Sequence, residues 1–77
     1  MSDFEEIYVQ YQGKIYSFLH KLSGDVQLAE ELTQETFYRA FVSFGKYKGN
    51  SSMFTWLAAI AKYTYFGYLK KERHLCV

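Results

Sequence analysis

Trp56, Tyr63 and Phe66 fall on one side of a stretch with helical periodicity, beside Lys62 and Lys70, when residues 53–72 are projected at about 100° per residue. Flat rings stack on unpaired bases at roughly 1–3 kcal/mol each, and lysines follow phosphates, so rings beside ammonium groups suit single-stranded nucleic acid. Protein interfaces also gather Tyr and Trp, and the residue types alone leave both partners open. Just upstream, Tyr47-Lys-Gly-Asn-Ser-Ser-Met-Phe54 reads as a basic, glycine-marked loop that feeds the same helix. A peripheral membrane helix over residues 53–73 is a third reading, but the inward face of that segment is needed by a core.

Chemistry of other kinds is not expected. The chain offers no carboxylate pair, no nucleophile with an adjacent base and no phosphate loop, so an enzyme is not predicted. His20, His74 and Cys76 lack the spacing of a zinc site, and neither metal nor other cofactor is expected. Cys76 is the only cysteine, which excludes an internal disulfide and suits a reducing cytoplasm. No stretch is long and apolar enough to cross a membrane, and Met-Ser-Asp-Phe-Glu-Glu lacks the regions of a signal peptide.

Seventy-seven residues make a single domain, 1–77, that needs dense packing to fold. Hydrophobic residues make up 49% and aromatic ones 21%, with no proline, which points to an all-α fold: a compact bundle of three main helices. Phe4, Ile7, Tyr8, Tyr11, Ile15, Phe18, Leu19 and Leu22 mark the inner face of the first helix. Ser2 or Asp3 is placed to cap it, and Gly24 to end it in a left-handed conformation. Gly13, inside it, predicts a close helix contact or a slight bend.

Asp25 is a cap for a second helix reaching about Phe44, with Gly45 at its end. Its inner stripe is Ala29, Leu32, Thr33, Thr36, Phe37, Ala40, Phe41 and Phe44. On the other side Gln27, Glu31, Gln34, Glu35, Tyr38 and Val42 share one sector, an acidic and amide-rich face ending in an aromatic and an aliphatic residue. Such a mixture hints at docking. Ser51 or Ser52 is placed to cap the third helix, whose inner face is Met53, Phe54, Leu57, Ile60, Ala61, Thr64 and Tyr68. Charge divides along the chain: residues 1–45 carry three Lys/Arg against seven Asp/Glu, and residues 46–77 six against one. That asymmetry suits two different partners.

The run Ala29-Glu-Glu-Leu-Thr-Gln-Glu-Thr-Phe-Tyr-Arg-Ala-Phe41, then Tyr47-Lys-Gly-Asn-Ser-Ser-Met-Phe-Thr-Trp-Leu57, Ile60-Ala-Lys and Leu69-Lys-Lys-Glu-Arg73, resembles region 2 of bacterial RNA polymerase sigma factors of the extracytoplasmic-function type. The resemblance extends from about Phe4 to Arg73. It implies that the second helix docks on the clamp coiled coil of the largest polymerase subunit through Gln27, Glu31, Gln34, Glu35 and Tyr38. It also implies that the loop and third helix hold the single-stranded non-template strand of the minus-ten promoter element and help to melt it. Tyr47, Lys48, Gly49, Asn50, Ser51, Ser52, Phe54, Trp56, Lys62, Tyr63, Phe66 and Lys70 would be the DNA contacts, with a pocket for a flipped base at residues 47–54.

Two positions depart from the family's pattern. Tyr63 stands where the family usually has Asn, and Gly67 where it has an acidic or amide residue. An Asn reads a base edge by hydrogen bonding, whereas a Tyr stacks and reads less. The alternative function is therefore a protein-interaction module, held by an anti-sigma factor or keeping the polymerase contact without DNA readout. The family's second, helix-turn-helix promoter-binding domain is expected to be absent from this chain.

Overall fold

The computed structural model describes residues 3–49 and 51–75. The expected three helices are present: α1 (Asp3–Ser23), α2 (Val26–Ser43) and α3 (Met53–Leu75), every pair of which is in contact. Each boundary has a local cause. Gly24, at φ 70°, lets its N–H turn back to the His20 carbonyl at 2.8 Å and close α1. Asp25 then caps α2, its Oδ1 accepting from the Leu28 N–H at 2.9 Å. Ser52 does the same for α3, with the Thr55 N–H donating to its Oγ at 3.1 Å.

Two boundaries differ from the sequence expectation. Gly45 does not supply a left-handed stop; α2 ends at Ser43 and tightens into a 3₁₀ turn, Phe44–Lys46, with the Tyr47 N–H bonded to the Phe44 carbonyl at 3.1 Å. The left-handed residue of this connection is Gly49, at φ 75°. The third helix also runs one turn past Glu72. Ser2, Asn50 and Cys76 lie outside the described residues, as does the His74 side chain.

The core is built mostly from small and aliphatic groups. Ile15 and Leu19 from α1, Ala29, Leu32, Phe37 and Ala40 from α2, and Leu57 and Ala61 from α3 are buried together, with Thr33, Thr36 and Thr64 among them. Thr33 and Thr64 satisfy their hydroxyls by donating to the Ala29 and Ile60 carbonyls one turn back, at 2.6 and 2.8 Å. Thr36 Oγ1 is buried with no partner among the described residues. The Tyr65 hydroxyl donates to the Leu22 carbonyl at 3.2 Å, pinning α3 to the end of α1.

The aromatic residues mostly surround this core. The Phe4 ring meets Phe37, Phe41 and Phe44 edge-on at 6.4, 5.4 and 5.6 Å between centroids, Phe44 meets Trp56 at 6.3 Å, and Trp56 meets Tyr47 at 4.9 Å. This chain of rings joins the start of α1 to the loop before α3. Phe41, expected inside, touches Phe4 but is otherwise largely exposed, and Tyr8 and Leu22 at the edge of the α1 face are partly exposed. Gly13 makes no close helix contact: a Cβ built there, or at Gly67, meets open space.

Two measurements follow from this packing. Thr36→Val keeps the shape and removes the unpaired hydroxyl, so urea unfolding should show a gain of about 1 kcal/mol; a loss would show that the hydroxyl is paired in solution. Tyr47→Ala uncovers Trp56, the only tryptophan, and should move its emission to longer wavelength, whereas an unchanged spectrum would deny Tyr47 that covering role.

Candidate nucleic-acid and polymerase interfaces

The α2 stripe comes out as one continuous exposed row. Gln27, Glu31, Gln34, Glu35, Tyr38 and Val42 all point away from the core, and Tyr38 and Val42 are each 66% exposed. Helical geometry dictates this, because Leu32, Thr33, Thr36 and Phe37 occupy the opposite face. Along the row, polar acceptors give way to a Tyr and a Val that nothing among the described residues covers.

On α3, Tyr63 is 70% and Phe66 55% exposed, and Lys62 and Lys70 are exposed beside them. Phe66 leans on Tyr65, their centroids 5.9 Å apart. In the loop, Lys48, Gly49, Ser51 and Ser52 are exposed, so the described part of the predicted DNA surface is mostly open to solvent. Asn50 falls outside the described residues.

Three of the predicted contacts sit differently from expectation. Trp56, projected outward, is half-buried: one side packs on the core, and Phe44 and Tyr47 lie against its ring. The reason is the 3₁₀ turn, which brings Tyr47 back over the first turn of α3. Tyr47 is itself half-buried, and its hydroxyl donates to the Ser51 carbonyl, so the loop closes on itself. Phe54, expected inside, is on the other side of the molecule, edge-on to Phe18 at 6.4 Å and partly exposed. It lines a broad groove along α1 with Val9, Gly13, Lys14 and Lys21. Tyr47 and Phe54 therefore do not share one pocket wall.

Sequence reasoning left out Arg39 and Ser43. The end of α2 lies along α3 so that these two residues, with Trp56, Ala59, Ile60 and Tyr63, line a shallow groove. Arg39 Nε donates to Glu35 Oε2 at 2.9 Å, and its guanidinium carbon sits 5.8 Å from the centre of the Tyr63 ring. The spacing of Glu35 and Arg39, four residues apart, was the available signal for the ion pair. Nothing local predicts the contact across to Tyr63, which needs the α2–α3 packing.

Beside the site, the Tyr68 phenol is raised above its ordinary value, first by burial against the core and then by the Glu72 carboxylate. That group stays neutral at ordinary pH. No helix among the described residues is long and apolar enough to cross a membrane.

Comparison with known proteins gives these faces a context. The chain matches the sigma-70 region 2 family over residues 7–75. It is 36% identical over 69 residues to the ECF RNA polymerase sigma factor SigM of Bacillus subtilis, covering 90% of this chain and 42% of that protein. Against SigW of the same organism identity is 33% over 70 residues, with 91% of this chain and 37% of the relative covered. Against SigC of Mycobacterium tuberculosis it is 39% over 62 residues, with 80% and 33% covered. The chain thus spans 42% of the length of these curated relatives or less. No solved structure matches. With nearly all of its length inside the family's pattern, and with relatives of this kind above 30% identity, the chain belongs to the sigma-70 region 2 family, extracytoplasmic-function type.

Proposed function

We propose that this chain acts in transcription initiation as a binding module, docking on RNA polymerase core through α2 and on promoter single strand through the loop and α3. It works in the cytoplasm, where the polymerase is, and strand opening is driven by binding energy and not by a catalysed reaction. The observation that carries this reading is the uncovered α2 row from Gln27 to Val42, whose Tyr38 and Val42 are two-thirds exposed in the free chain. Apolar groups set among Gln and Glu suit a protein partner better than water. The clamp coiled coil of the largest polymerase subunit is the partner the family implies, with Gln34 and Glu35 at the contact.

On the DNA side, Tyr63 and Phe66 offer rings that are more than half exposed, and Lys48, Lys62 and Lys70 are exposed charges of the same surface. The non-template strand of the minus-ten element is the ligand that this arrangement suits. A flipped base has to part Tyr47 from Trp56, or Tyr47 from the Ser51 carbonyl, because the loop is closed in the free chain.

One observation favours the second reading, a polymerase- or anti-sigma-binding module without DNA readout. Tyr63, at the family's Asn position, is engaged by Arg39. Tyr63→Asn discriminates: a rise in affinity for promoter strand supports lost readout in this chain, while a fall assigns Tyr63 to stacking.

Gln34→Ala with Glu35→Ala should abolish capture of the chain by the clamp coiled coil while circular dichroism stays unchanged, since both side chains are exposed. Undiminished capture removes the α2 assignment. On the other face, affinity for a single-stranded minus-ten oligonucleotide should fall steeply with salt and exceed that for duplex. Salt-independent binding, or equal binding to both forms, removes the stacking assignment.

A further inference from the structure

Arg39 joins the two faces. Its Nε is held by Glu35, a member of the α2 docking row, and its guanidinium carbon lies over the ring of Tyr63, a member of the α3 ring surface. Both partners of the ion pair are about half exposed, at 46% and 48%. An exposed pair of this kind is weak and is exchanged readily for a better one. The guanidinium is planar and carries donors on its terminal nitrogens, the arrangement that grips a phosphate in two places. It also lines the groove formed with Ser43, Trp56, Ala59 and Tyr63, beside the ring on which a base would stack.

We propose that Arg39 is a phosphate-binding residue of the DNA surface, masked by Glu35 in the free chain and released when a polymerase surface takes the Glu35 carboxylate. The inference rests on the function proposed above and adds to it a coupling between the two partners. A polymerase group that binds Glu35 competes with Arg39, so it favours the state in which the guanidinium is available. By linkage, DNA held by Arg39 favours polymerase docking by the same factor. Glu35 thereby contributes twice, as a docking contact and as a lock on Arg39.

The test uses the whole 77-residue chain and a fluorescently labelled single-stranded minus-ten oligonucleotide, titrated by anisotropy at several low salt concentrations. Glu35→Gln removes the lock, Arg39→Gln removes the proposed ligand, and the double variant closes the cycle. Glu30→Gln, elsewhere on the exposed side of α2, controls for loss of one negative charge. Circular dichroism checks the fold of each.

Glu35→Gln should tighten binding about twofold, the most that releasing an exposed pair one helical turn apart can return. It should also steepen the salt dependence by about 0.7, one extra phosphate contact on a single strand. Glu30→Gln should do less, and in the Arg39→Gln background Glu35→Gln should give no gain beyond the Glu30→Gln control. A gain equal to that of Glu30→Gln, or one that survives without Arg39, overturns the inference alone. If the unaltered chain does not bind the oligonucleotide even at the lowest salt with the clamp coiled coil present, the DNA reading falls and takes this inference with it.

Discussion

The close packing of α2 against both neighbours is the constraint on which everything else depends. Its inner face is Ala29, Leu32, Thr33, Thr36, Phe37 and Ala40, and α3 answers with Ala61 and Thr64. Small side chains let helix backbones approach, and they leave little interior volume for rings. Of sixteen aromatic residues only Phe37 is buried. The remainder must lie at the rim or on the surface. The aromatic richness that looked like core material is therefore a collar, and part of that collar is the proposed binding surface.

This arrangement also positions residues 44–49. Residues 44–49 have few groups of their own to bury, but Phe44 and Tyr47 reach Trp56 and so connect the loop to the same ring chain that begins at Phe4. The proposed base pocket and the start of α1 share one packing unit. Parting Tyr47 from Trp56 draws on contacts that extend back to the first turn of the protein.

Much of this was legible in the sequence. Of the eight α2 residues that periodicity placed inside, six are buried and Phe41 and Phe44 are not, while the exposed row from Gln27 to Val42 followed from the same angle. Asp25, Ser52 and Gly24 announced their boundaries through side-chain and backbone chemistry confined to a few residues. Trp56 was misplaced because an angular projection knows only its own helix, and it is the returning 3₁₀ turn that covers this ring. Phe41 failed in the opposite sense: it lies on the inner arc by angle, yet near the end of α2, where only Phe4 reaches it. Arg39 could be paired with Glu35 from spacing, but its contact with Tyr63 is a property of the interhelix packing and no single segment encodes it. The family resemblance named the faces; it did not indicate that a charged side chain runs between them.

Gly67 carries α3 onward with no side chain of its own and with nothing near the place where one would be. Beyond it Tyr68 still packs on the core, but Leu69, Lys70, Lys71 and Glu72 are all exposed, so residues 69–72 are held chiefly by the helix's own backbone bonds. Such turns open at a lower free energy than those facing a core. Amide hydrogens of residues 69–72 should therefore exchange faster than those around Leu57 and Ala61. A partner that contacts Lys70 would then lose entropy in stiffening those turns, which limits how tightly they are held.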